Sequence, residues 1–140
     1  MSYNNDNFRY KFGLGHVPSF QTSARPFLSS SLNVPENSAE PLEIQFDTVT
    51  RFLIVTNTSL PSDPSRPMRF GFSRNGVKGV QDSNYVVLDN GETFEAEFKV
   101  SKVFLLSDGI YETSGSVVAG LTGIGSSHLI NNWTGSAGVG

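Results

Sequence analysis

Asn84-Tyr-Val-Val-Leu-Asp-Asn-Gly-Glu-Thr-Phe-Glu-Ala-Glu-Phe-Lys-Val100 reads as two short strands flanking Asp89-Asn90-Gly91. That turn needs φ > 0, which Asn and Gly supply at little cost. In the second run Phe94, Ala96, Phe98 and Val100 alternate with Thr93, Glu95, Glu97 and Lys99. A period of two puts one face in a core and the other in water. The stretch therefore predicts a hairpin, and its grammar recurs along the chain.

Upstream, Phe27 to Val34 forms a first candidate strand stopped at Pro35, and Pro41 to Phe46 alternates Leu42, Ile44 and Phe46 with Glu43 and Gln45. Thr50 to Thr58 carries the apolar run Phe52-Leu-Ile-Val55, suited to a strand covered on both sides. Pro61, Pro64 and Pro67 exclude regular structure from Leu60 to Pro67, because proline fixes φ and removes a donor. Met68 to Ser73 alternates again, and Arg74 to Val80 reads as a turn-rich connection. Downstream lie Lys102 to Ser107, closed by Asp108-Gly109, and Ser116 to Ile124. Roughly eight strands at spacings of about eight to twelve residues predict an all-β antiparallel sandwich or jelly roll. No apolar stripe at helical spacing outlasts two turns, which disfavours α/β folds.

A chain of 140 residues fits one domain with a single two-layer core. Residues 27–124 make up that domain, residues 1–26 an N-terminal arm and residues 125–140 a Gly/Ser-rich tail. Charged residues are only 16% of the chain, and eleven Phe against one Trp point to a core of Phe with β-branched partners. The formal net charge of −3 offers no global field for nucleic acid or an anionic membrane. The absence of cysteine excludes disulfides and thiolate metal sites. The polar start lacks the apolar segment of a secretory signal, and no apolar run approaches the ~20 residues of a membrane span.

No residue set spells out catalysis. His16 and His128 stand in the two terminal segments without the spacing of a metal site. Glu95 and Glu97 share a strand face, but that face opposes Phe94 and Phe98 and is expected to be solvated, whereas a glycosidase pair flanks a groove at a set separation. Asp89-Asn-Gly-Glu92 and Asp108-Gly109 are turns without the oxygen density of a calcium loop. Gly120-Leu-Thr-Gly-Ile-Gly125 lacks the lysine and helix of a phosphate loop, and Ser126 lies in no nucleophile elbow. Two sequons, Asn57-Thr-Ser59 and Asn132-Trp-Thr134, are expected to stay unmodified without a signal segment. The reading is a non-enzymatic protein with no cofactor and no metal. Its aromatic-bearing ends, with Arg9, Lys11 and Arg25 against Asp6, would order against a neighbour, aromatic burial offsetting backbone entropy of about 1–2 kcal/mol per residue.

The order of Thr50-Arg-Phe-Leu-Ile-Val-Thr-Asn-Thr58, Arg69-Phe-Gly-Phe-Ser-Arg-Asn-Gly76, Tyr85-Val-Val-Leu-Asp-Asn-Gly-Glu-Thr-Phe94 and Val103-Phe-Leu-Leu-Ser107 resembles single jelly-roll virion proteins. These are the vertex (penton) and minor capsid proteins of icosahedral DNA viruses and phages, and the likeness covers roughly residues 27–124. It implies a structural protein of the virion, made in a host cytoplasm, with five copies around a vertex and a sheet edge or loops meeting the axis. It further implies an arm gripping neighbouring capsid proteins, with Phe8, Tyr10, Phe12 and Phe20 as arm anchors and Trp133 as a tail anchor. A minor capsid or cement protein is the alternative within that class. Outside it stands a receptor- or carbohydrate-binding β-sandwich head using Pro61–Pro67 and Arg74–Val80, with Arg66, Arg74 and Lys78.

Overall fold

The computed structural model describes residues 25–80 and 83–125. Among the described residues eight strands and one short helix follow one another as β1 (Arg25–Val34), β2 (Leu42–Gln45), β3 (Thr48–Asn57), β4 (Met68–Gly71), α1 (Arg74–Lys78), β5 (Val86–Leu88), β6 (Thr93–Ala96), β7 (Lys102–Ser107) and β8 (Thr113–Gly125). They make two four-stranded antiparallel sheets, ordered β1-β8-β3-β6 and β2-β7-β4-β5. The pairs β1·β8, β2·β7, β3·β6 and β4·β5 show how this arises. The first half of the chain runs against the second as one long ribbon, which then rolls up so that successive pairs alternate between sheets. That is jelly-roll topology. The all-β sandwich expected from the sequence is the observed fold.

Inward residues of the two sheets interdigitate: Leu53, Val55, Val117 and Ala119 from the first meet Met68, Phe70, Val103 and Leu105 from the second, all buried. This core is richer in Val and Leu than the Phe count suggests. Phe46 and Phe70 are fully enclosed, whereas Phe27, Phe72 and Phe94 are half-buried at its margins. The rim rings still pack edge-on, Phe27 on Phe46 at 4.9 Å and Phe72 on Phe98 at 5.6 Å.

Two local expectations are corrected. Asp89-Asn90-Gly91 does not close a hairpin: β5 pairs with β4 in the second sheet and β6 with β3 in the first. The segment is a corner between sheets. Gly91 does take positive φ (80°), as its turn chemistry requires. Second, Arg74 to Lys78 is a one-turn helix rather than a loop. Ser73 caps it by accepting a hydrogen bond from the Gly76 amide at 3.1 Å, and it ends at left-handed Gly79. Its Val77 is fully buried with Phe104 and Leu106 of β7, the outward-facing residues of that strand. Burial of one valine over an otherwise wet sheet face stabilises a turn too short to form alone. The close approach leaves no room at Gly71, where a Cβ would stand 2.6 Å from Val77 Cγ2.

The sheet edges differ. Edge strand β1 is interrupted by a bulge between Ser29 and Leu32, with Ser31 at φ 56°, a device that blunts pairing with other chains. Edge strand β6 pairs with β3 in continuous register from Thr56↔Thr93 to Leu53↔Ala96. Beyond it the chain stays beside β3, because Thr50 Oγ1 donates to the Phe98 carbonyl at 2.5 Å and accepts from the Val100 amide at 3.1 Å.

Candidate functional site

Four connections meet at one end of the sandwich (35–41, 58–67, 89–92 and 108–112), and Asn57, the buried last residue of β3, ties the second of them to the β5–β6 corner. Its Nδ2 donates to the carbonyls of Arg66 and Leu88, both at 2.9 Å, and its Oδ1 accepts from the Ser59 amide at 3.0 Å. Its backbone exchanges bonds with the β5–β6 corner: Asn57 N donates to Glu92 O, and Gly91 N to Asn57 O. The Thr113 hydroxyl donates to the Arg66 carbonyl at 2.9 Å and lies 3.0 Å from Ser59 Oγ. Asn57 is wholly buried and Thr113 and Ser59 nearly so, so the bonds from Asn57 to Leu88 and Ser59 and the Ser59–Thr113 contact are made away from competing water, while those to Arg66 are half-shielded.

Asn90 does the same work outside the core. Its Oδ1 accepts from the Arg66 amide at 2.9 Å, while its Nδ2 donates to the carbonyls of Pro64 at 3.0 Å and Leu60 at 3.1 Å. A loop carrying three prolines has few donors of its own, and one asparagine satisfies its carbonyls. The remaining loops join through Ser107 N to Pro35 O, Asp108 N to Pro67 O and Asn37 N to Gly109 O. Arg66 bridges loops from the surface, donating through Nη1 to the Glu112 carbonyl at 2.9 Å with its guanidinium 5.4 Å from the Tyr111 ring centre.

A rigid interior thus supports an apolar tip. Leu60, Ile110 and Tyr111 are 61%, 72% and 63% exposed. Beside them lies an open polar hollow of about 480 Å³, lined among others by Asn33, Ser59, Asp63, Arg66 and Glu112. The tip was not singled out from the sequence. Leu60 reads as the edge of a proline loop, and Ile110 and Tyr111 fall between strands without a period.

The two loops assigned to a binding head sit on different parts of the fold, joined through Glu40 of the 35–41 connection. Pro61–Pro67 belongs to this end, whereas α1 lies against the outer face of the second sheet, packed on β4 and β7. There Arg74 donates to Glu40 from Nε at 2.5 Å and Nη2 at 2.6 Å, and Lys78 Nζ stands 3.4 Å from the same carboxylate. The Arg74 hydrogen bonds, with Lys78 adding to them, hold the Glu40 carboxyl at about 2 against an ordinary 4.5. The folded value lies below the unfolded one, so any stability from the pair is present above pH ~4.5 and fades as pH falls through ~2. In a carboxyl-detected NMR titration Glu40 should therefore titrate at about 2, and Arg74→Gln should lift its midpoint toward 4.5. Exposure and solvent screening keep the pair's energetic contribution small.

Glu95 and Glu97 are exposed on the outer face of the first sheet, beside an open hollow of about 730 Å³ that includes Arg51, Phe52, Ile54 and Ala96. Among the described residues no three His, Asp or Glu side chains gather closely enough to hold a metal ion, and no helix is long and apolar enough to cross a membrane. Phe8, Tyr10, Phe12, Phe20, His16, His128 and Trp133 lie outside the described residues. The sequon at Asn57 has a reason of its own to stay bare, since the amide nitrogen that would carry a glycan is buried and donates twice.

No protein-family model matches the chain, and no curated protein is similar to it in sequence.

Proposed function

We propose that this is a structural virion protein, a capsid vertex (penton) subunit that assembles into a pentamer and engages neighbouring capsid proteins through its terminal segments. The observation that supports this reading most is the loop end: four connections joined by hydrogen bonds, the innermost of them buried at Asn57, with Leu60, Ile110 and Tyr111 left in water. Ordering a surface this thoroughly while leaving large apolar groups at its summit suits a contact made between preformed bodies. A contact between two different patches of identical subunits closes into a ring where the rotation permits. The reading from fold to virion is an analogy, since jelly rolls also serve lectins and enzymes. The acidic residues around the tip, Glu36, Asp63, Asp89, Glu92 and Glu112, oppose closure, so apolar burial has to outweigh their mutual repulsion at physiological ionic strength.

Sedimentation velocity of the purified full chain tests the reading. A species of five times the chain mass is expected, and Ile110→Asp/Tyr111→Asp should return it to monomer with its circular dichroism unchanged. A wild-type chain that remains monomeric at every accessible concentration would remove the proposal. The carbohydrate-binding reading draws on the exposed Tyr111 ring beside the polar hollow, an arrangement on which a sugar could stack. It predicts a monomer whose glycan binding is lost with Tyr111→Ala.

A further inference from the structure

The open side of the sandwich, between edge strands β5 and β6, carries a pattern that a segment elsewhere in this chain complements. Along β6 and its continuation, Glu95 and Glu97 are exposed on the outer face. Phe94 and Phe98 lie on the opposite side, their rings stacked at 6.1 Å, and Phe98 is 38% exposed. Ala96 sits between them. The edge is an acid–aromatic alternation with a small residue at its centre, and it has no bulge within β6. Edge β5, by contrast, offers Val86-Val-Leu88 and no charge, and the one acid of edge β2, Glu43, already stands near Lys102.

Phe8-Arg-Tyr-Lys-Phe12 is the complementary alternation: three aromatics on one side of an extended segment and two cations on the other. With Tyr10 opposite Ala96, an antiparallel pairing sets Arg9 against Glu97 and Lys11 against Glu95, with Phe8 and Phe12 beside Phe98 and Phe94. A parallel pairing exchanges the partners and preserves every charge and aromatic match. A slip of one residue destroys all of them, because it turns each side chain to the other face. Opposite charges and aromatic pairs directly across a ladder are the stabilising unit of a sheet, and a free edge is a template for such addition.

We propose that Phe8–Phe12 of one copy adds as a fifth strand to the β6 edge of the adjacent copy, with Arg9 and Lys11 over Glu95 and Glu97. This deepens the vertex reading and rests on it. The choice of a second copy rests on the vertex reading, in which the arm engages a neighbour, and the place where the described chain starts accommodates it. Arg25 opens β1, the edge of the same sheet opposite β6, three strand spacings or about 14 Å away. In a ring built edge to edge, the β1 edge of one copy faces the β6 edge of the next. Residues 13–24 span up to about 40 Å when extended, ample for that step.

Hydrogen exchange on the full chain tests the pairing, with sedimentation run in parallel. In the wild-type oligomer the amides of 93–98 should exchange about tenfold more slowly than in Arg9→Glu/Lys11→Glu or in Glu95→Lys/Glu97→Lys. Mixing the two double variants should restore most of the protection in both chains, because a mixed five-membered ring can set four of its five arms on an edge of opposite charge. An oligomer whose 93–98 exchange ignores both charge reversals overturns the strand addition and leaves the pentamer standing. A monomer that is protected at 93–98, with no recovery on mixing, overturns both.

Discussion

Asn57→Ala is expected to lower the unfolding free energy by about 3 kcal/mol, a large effect for the loss of one side-chain amide. The cost comes from the groups left behind. The Arg66 carbonyl keeps the Thr113 hydroxyl, but the Ser59 amide and the Leu88 carbonyl lose the amide partner that met them in the buried network. Each such buried group costs about 1–3 kcal/mol. Because those groups lie at both ends of the 58–67 loop and at the end of β5, the damage should extend beyond the midpoint shift, with faster amide exchange across 58–67 and 89–92 than across β8. Asn57→Asp should be worse than alanine at pH 7, since a buried carboxylate would face two carbonyl oxygens. Burial would raise that carboxyl above its unfolded value, so its deficit should narrow as pH falls toward 4. Urea titrations of the three proteins at two pH values decide the matter. A loss under ~1 kcal/mol for Asn57→Ala would mean that water replaces the amide and that the loops are not locked through it.

The strands were legible because their side chains alternate, and alternation is a local signal. Lys102–Ser107 is bounded in the structure as its residues suggest, and so, within two residues, are the strands at Leu42 and Thr48. Partnership was not legible. Asp89-Asn90-Gly91 has the chemistry of a hairpin, yet the same φ > 0 turn serves a corner between sheets. The choice lies with pairs such as Leu53↔Ala96, far apart in sequence. The helix at Arg74 escaped notice because Asn75-Gly76 signals a turn, and what holds it is Val77 reaching Phe104 and Leu106 nearly thirty residues later. Asn57 escaped for the same reason. In sequence it is a polar residue ending a strand, and only the rolled ribbon brings the carbonyls of Arg66 and Leu88 to its amide. The candidate site is thus a product of topology, while the arm anchors at Phe8 to Phe20 belong to composition alone.

Phe70→Ala is expected to cost about 3–5 kcal/mol, a substantial part of the 5–15 kcal/mol typical of a whole domain. Phe70 is 1% exposed on β4, and its ring meets Phe94 of the opposite sheet at 4.9 Å and Phe72 at 6.2 Å. Phe72 and Phe94 in turn meet Phe98, so one ring anchors the aromatic row that closes the sandwich between β5 and β6. Truncation leaves a cavity that the sheets cannot collapse to fill, since β4 is held between β7 and β5. Phe98→Ala, at a half-open rim position, should cost about 1 kcal/mol or less. The two sheets are joined here mainly by ring contact, so Phe70→Ala and Phe94→Ala should be non-additive, with a coupling of about 1 kcal/mol in a double-mutant cycle read from urea midpoints. Local exchange at Thr93–Ala96 should rise in Phe70→Ala before exchange in β8 does, because within one copy β6 is bonded to β3 alone while β8 lies between two strands. A uniform rise across both strands would mean that the row of rings contributes area but does not hold the edge.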